Sequence, residues 1–220
     1  SRLANDADDA AKLAALNRYL FEENGFHGSR NDYYHRSNSY LNEVIDDREG
    51  LPITLSVLYL ELARRLDLPV RGVGLPGHFI VKYVPEEGPA QLIDVFNGGK
   101  TITIEQAKSM VDEYTGLDWK DEYLNAVGKR EIIVRILHNL LGLARDQQDA
   151  HQMLGYVEAL VAVKPNAQHE RWMRAVLRYQ TQRLHSAAED VAWLLERPLS
   201  GINEDQVRHL QRLIDEQLGR

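Results

Sequence analysis

The sequence predicts an α+β fold: a helix-and-sheet domain with a small antiparallel sheet, followed by an all-α region of helical hairpins. Two observations predict it. After Gly50 one long apolar helical period leads into three short strand-like runs separated by turn signals, and consecutive strands after a helix make a mainly antiparallel sheet rather than alternating β–α units. From Lys129 to Arg220 every stretch carries a helical period, with turns at Asp146–Asp149, Lys164–Asn166, Gln182–His185 and Pro198–Gly201. Two domains are therefore expected, 1–125 and 126–220.

In chain order, residues from about Asp6 to Glu22 read as a helix, with Ala7, Ala10, Ala11, Leu13, Ala14, Leu16, Leu20 and Phe21 on a broad apolar face. Glu23 to Ser39 is a long polar loop carrying Phe26, Tyr33 and Tyr34, and loops of that length are often functional. Asn38 or Ser39 is expected to cap a short helix through Ile45. Gly50 followed by Pro52 marks the start of a largely buried helix, with Leu55, Leu58, Tyr59, Leu62 and Leu66 on one face. Asp67 to Pro69 closes it, and Glu61 pairs locally with Arg64 and Arg65.

Strands follow at about Val70–Gly74, His78–Val84 and Gln91–Val95, with "FNGGK" read as a turn. Thr103 and Gln106 form a capping box for a helix through about Tyr114. Trp119, Tyr123 and Leu124 are packing residues rather than linker residues. In the helical region Pro165 and Pro198 stand 33 residues apart, close to the tetratricopeptide period, although the small and aromatic positions of that repeat are poorly matched. A degenerate tetratricopeptide-like repeat and an ordinary helical bundle both fit, with Asn203–Leu218 as a polar capping helix.

Composition narrows the function classes. The 220 residues carry a formal net charge of -7, so no global basic field draws the chain to nucleic acid or anionic lipid. The longest nearly apolar run, Leu154–Val163, is ten residues long and contains Glu158, too short and charged for a membrane span. The chain opens polar and acidic, which predicts a cytoplasmic protein, and without an initiator Met the native amino terminus is expected to lie upstream. There is no cysteine, which excludes disulfides, thiolate metal sites and thiol nucleophiles. Gly98 and Gly99 do not make a phosphate loop, and His27 and His35 with Asp32 between them lack a standard metal spacing, so no cofactor and no metal is expected.

One ordered set stands out: a helix start at Pro52–Thr54, His78 at a strand start and Asp94 at the end of the next strand. That is the logic of a nucleophile, base and orienter. A helix amino terminus stabilises an anion, an imidazole on the adjacent strand takes the proton, and a carboxylate on the next holds the imidazole. The bland alternatives are a packed imidazole bonded to Asp94, a carboxylate capping the "FNGG" turn, and Thr54 as a helix-cap residue.

The stretches "GLPITLSVLYLELARRLDLPVRGVGLPGHFIVKY" and "LIDVFNGGK" resemble the transglutaminase-like superfamily, and more closely its bacterial SirB-type branch, which also occurs in a eukaryotic F-box protein. "LNRYLFEENGFHGSRNDYYHRSNSYLNEVI" upstream and the helical tail downstream extend the similarity. The resemblance implies a papain-related core with a Cys–His–Asp triad, preceded by a further helical segment. His78 matches its histidine and Asp94 its aspartate; the cysteine should fall at Pro52–Thr54, where Thr54 is the only hydroxyl and Ser56 lies slightly inside the helix.

Three functions follow as expectations. The first is a non-catalytic binding or regulatory module whose helical tail or cleft takes a protein or peptide partner; Tyr33, Tyr34 and Tyr40 either line that cleft or, as is commoner for an aromatic-rich loop, pack on their own domain. The second is a hydrolase or acyl-transferase working on a peptide or amide through Thr54, His78 and Asp94. The third is a cleft binding a metal or small ligand through His78 and Asp94. The position of the Thr54 hydroxyl separates the first two.

Overall fold

The computed structural model describes residues 7–220, and the chain divides into two compact units, 1–132 and 133–220. In the first unit helix α1 (Asp9–Asn17) starts at Asp8, whose side chain accepts from the Ala11 N–H at 2.8 Å, and runs on as a π-helical turn over Arg18–Glu23. The expected start at Asp6 lies outside the described residues. Of the predicted face Leu13, Leu16 and Leu20 are buried, whereas Ala10, Ala11 and Ala14 are exposed, so the stripe against the core is narrower than the run of alanines suggests.

The polar loop is built rather than structureless. It contains β1 (His27–Gly28), which pairs in parallel with β2 (Glu49–Gly50), and a 3₁₀ turn over Arg36–Ser39. Helix α2 (Leu41–Asp47) begins at Tyr40, not at a capping Asn38. Asn38 instead donates its side-chain amide to the carbonyls of Asp32 and Tyr33, which folds the loop back on itself. Helix α3 (Pro52–Arg65) has Pro52 in its first turn, where a missing N–H costs nothing, and is buried at Ile53, Thr54, Leu55, Ser56, Tyr59 and Ala63.

Five antiparallel strands follow in the spatial order β6–β5–β4–β3–β7: β3 (Val70–Val73), β4 (Ile80–Tyr83), β5 (Gln91–Asp94), β6 (Lys100–Ile102) and β7 (Ala126–Val127). Where the outer two stand the sequence predicts a turn and a link, because edge strands of two or three residues carry no legible alternation. Within the sheet, side chains alternate between two clusters. Val70, Val81, Tyr83, Ile93 and Val95 pack with Leu55, Tyr59 and Ala63 of α3 and with Leu13 and Leu16 of α1. Val73, Leu75, Ile80 and Leu92 pack under Ala107 and Val111 of α4 (Ile104–Thr115), joined by Trp119, Tyr123 and Leu124. Thr103 and Gln106 close the predicted capping box on α4.

Helices α5 (Lys129–Asp146), α6 (Ala150–Val163), α7 (Gln168–Gln180), α8 (Leu184–Leu195) and α9 (Glu204–Leu218) make up the helical region. Leu154, Val157, Leu160 and Leu177 form one apolar cluster; Ala175, Val191, Leu194, Val207 and Ile214 form another. Between them lies a charged knot. Arg171, Arg174 and Arg178 recur at spacings of three and four along α7, so all three guanidiniums reach the buried carboxylate of Asp190 on α8. Trp193 is stacked between Arg171 and Arg197, at 4.1 and 4.0 Å. Among the described residues no helix is long and apolar enough to cross a membrane.

Candidate functional site

His78 is placed by a type II turn. Leu75, Pro76, Gly77 and His78 close through the His78 N–H and the Leu75 carbonyl at 3.1 Å, with Gly77 at φ 73°. A side chain at Gly77 would meet the Tyr114 Cβ at 2.6 Å, so glycine is required both for the turn and for the approach of α4. The strand starts two residues later than expected, at Ile80, which leaves His78 in the turn beside the sheet rather than in it.

Asp94 ends β5. Ile93 faces the α3 cluster and Leu92 the α4 cluster, so the alternation turns Asp94 toward α4, the side where Tyr114 meets His78. His78 Nε2–H donates to Asp94 Oδ1 at 3.1 Å, both side chains being almost wholly buried. Asp94 also caps its own turn: its Oδ1 accepts from the Asn97 N–H at 3.3 Å and its Oδ2 from the Asn97 side-chain amide at 2.7 Å. Burial alone would raise this carboxyl. The bonds and charge from His78 and the bonds from Asn97 outweigh it and hold the group below its ordinary value. Both bland readings of the carboxylate are thus true at once.

Thr54 is elsewhere in its bonding. Its hydroxyl accepts from the Leu51 N–H at 3.0 Å and donates to the Asn38 carbonyl at 2.7 Å, with the Leu51 carbonyl at 3.2 Å. Leu51 has no polar side chain to cap α3, and Thr54 takes that role from the third position. Gly50 makes room for it, since a Cβ there would lie 2.9 Å from the Thr54 oxygen. The hydroxyl proton is committed to a backbone carbonyl and the side chain is 1% exposed. Ser56 is fully buried, and its hydroxyl finds no hydrogen-bond partner. The structure joins His78 to Asp94, and it gives neither hydroxyl a bond to the imidazole.

A further layer of rings and polar groups surrounds the pair. The rings of Phe96 and Tyr114 stand 5.9 and 5.7 Å from His78 and leave it 4% exposed. Tyr33 packs edge-on to Phe96, Tyr34 packs on Tyr33, and the Cα of Gly28 lies so close to Phe96 that no side chain fits there. Arg30 donates to Asn97 Oδ1 and lies 5.9 Å over the Phe96 ring. Arg30, Asn97, Asp94 and His78 therefore form one chain of contacts. Burial raises the Tyr114 phenol, Glu113 and Asp94 raise it further, and the charge of Arg30 opposes them. The sequence signals for this layer are the aromatic loop with Tyr33 and Tyr34 and the "FNGG" turn; the roles of Arg30, Asn97 and Tyr114 have none. Among the described residues no group of three or more His, Cys, Asp or Glu side chains could hold a metal ion, and His35 bonds Ser37 instead.

Residues 1–138 match the family described as the transglutaminase-like superfamily. A UPF0162 protein of Xylella fastidiosa (strain 9a5c) is 34% identical over 213 residues, covering 94% of this chain and 75% of the relative. Protein SirB1 of Salmonella typhimurium is 27% identical over 207 residues, covering 89% of this chain and 72% of that protein. Human F-box only protein 21 is 30% identical over 151 residues, 64% of this chain but 23% of that protein. No solved structure matches. A helix α3 packed on an antiparallel sheet, with a histidine in the turn before one strand bonded to the aspartate that ends the next, agrees with the family match over more than half the length: the chain belongs to the transglutaminase-like superfamily.

Proposed function

We propose that the protein is a non-catalytic binding or regulatory member of its superfamily, which takes a protein or peptide partner through the helical hairpins or the surface around His78. One observation carries this reading: the Thr54 hydroxyl, which alone stands where a nucleophile would, donates its proton to the Asn38 carbonyl while the chain holds no cysteine. An alcohol near neutral pH needs nearly complete help from a base to attack, and a base that its proton does not face gives none. The near-complete covering of His78 by Phe96 and Tyr114 supports the same reading. The pair then serves the architecture, tying the turn before β4 to the turn after β5. The helical hairpins, with their tetratricopeptide-like spacing between Pro165 and Pro198, offer the kind of surface that receives peptides and helices.

The test is turnover. With fluorogenic peptide amides and with a glutamine peptide plus a primary amine, the purified chain is expected to show no rate above that of His78→Ala. Amide turnover that falls more than about a hundredfold in both Thr54→Ala and His78→Ala would overturn the reading in favour of an enzyme.

A further inference from the structure

Over the buried pair, a fixed cation and a row of rings reach the surface. Arg30 is exposed, yet it is held at two points, by its bond to the Asn97 side-chain oxygen and by the face of Phe96. Neither support carries a charge. Some arginines are paired with carboxylates, as Arg64 and Arg65 are with Glu61, Arg208 with Glu204, and Arg171, Arg174 and Arg178 with Asp190, while Arg48 and Arg71 donate to backbone carbonyls. Arg30 makes no ion pair among the described residues. A guanidinium fixed in place by neutral groups keeps donors of its fork for an external anion, and little side-chain entropy is left to lose on binding.

The rings beside it define what accompanies that anion. Tyr34 is 77% exposed, Tyr114 51% and Tyr33 36%, and ring contacts run unbroken from Tyr34 through Tyr33, Phe96 and His78 to Tyr114. Exposed tyrosines supply apolar contact area at low entropic cost and are enriched at protein interfaces. A polyphosphate chain does not fit, because one arginine is no phosphate track.

We propose that this rim docks a peptide segment bearing an aspartate or glutamate next to an apolar residue. Arg30 takes the carboxylate, and Tyr34 and Tyr33 pack the apolar neighbour. The inference rests on the binding reading above and names the partner's chemistry. Occupancy of Arg30 reaches the buried pair through Asn97, which bonds both Arg30 and Asp94.

The experiment uses the whole chain and four pools of random fluorescent octapeptides, each with a leucine beside one central residue fixed as Glu, Gln, Lys or phosphoserine, read by anisotropy. The Glu pool should bind about tenfold or more tightly than the Gln pool, and the Lys pool weakest. Arg30→Gln should erase the order, Arg30→Glu should invert it, and Tyr34→Ala should weaken every pool without changing the order. The circular dichroism of Arg30→Gln should match the parent, since the side chain is exposed. Equal binding of all pools, binding of the phosphoserine pool alone, an order that survives Arg30→Glu, or no binding of any pool overturns the inference. Tyr34-dependent binding without charge preference would sink it while leaving the binding reading intact; turnover in the amide assay sinks the latter instead.

Discussion

Asp94→Asn removes a charge that three hydrogen bonds converge on, and its cost follows from them. The carboxylate accepts from His78 Nε2 at 3.1 Å and from the Asn97 backbone and side-chain N–H groups at 3.3 and 2.7 Å, at 1% exposure. An asparagine has one acceptor oxygen, and its own amide would face a donor. A hydrogen bond to a charged group contributes about 1.5–3 kcal/mol, and leaving buried donors without an acceptor adds their desolvation cost. The bonds share one acceptor and are not additive, so a loss of about 3 kcal/mol is expected near neutral pH. Because the chain has two units, the measurement is local: hydrogen exchange followed by mass spectrometry over β4 and β5, where that loss appears as exchange faster by about a hundredfold. The carboxyl is held below its ordinary value, so its contribution is complete above about pH 4 and disappears as the pH falls through the lowered native value. Parent and variant should therefore converge in strong acid. A difference under about 1 kcal/mol at pH 7, or one that persists undiminished in acid, would refute the view that the ionised carboxylate holds the two turns together.

In the helical unit Asp190→Ala should cost about 3–5 kcal/mol by urea unfolding followed at the tryptophans, since it leaves three partly buried guanidiniums facing one another; a loss under 1 kcal/mol would show that solvent or Glu158 takes over. Gly77→Ala forces a side chain onto φ 73° and against Tyr114, and should cost about 1–3 kcal/mol while moving the His78 ring resonances, whereas Gly88→Ala, in open space, should leave those resonances where they are. Each of Pro52→Cys, Ile53→Cys and Thr54→Cys should react with iodoacetamide no faster than a free surface thiol, because His78 is covered by Phe96 and Tyr114; a thiol that alkylates much faster in one of them would show that a competent triad frame survives.

Much of this molecule was legible in the chain. Pro52 behind Gly50, the apolar period through Leu55 and Tyr59, Thr103 with Gln106, and the turn signals around Pro165 and Pro198 each specify an element through contacts a few residues long. The bond between His78 and Asp94 was legible as well, because a histidine ahead of one strand and an aspartate ending the next meet wherever the two strands pair. The short strands β1, β2, β6 and β7 were not, since two or three paired residues leave no period to read. Nor did local pattern assign the partners of Thr54, Asn97 and Arg30. A hydroxyl at a helix start bonds whichever carbonyl stands nearest, and for Thr54 that is Asn38, brought there by a loop that folds back on its own amide contacts. Arg30 reaches Asn97 across 67 positions of chain, and the sheet and the β1–β2 pairing together set that approach. Spacing along the sequence wrote the helices, the central strands and the histidine–aspartate pair. Tertiary structure alone decided that the candidate nucleophile is a cap and that the exposed cation lies over an aromatic rim, because a side chain's bonds are chosen by its neighbours in space.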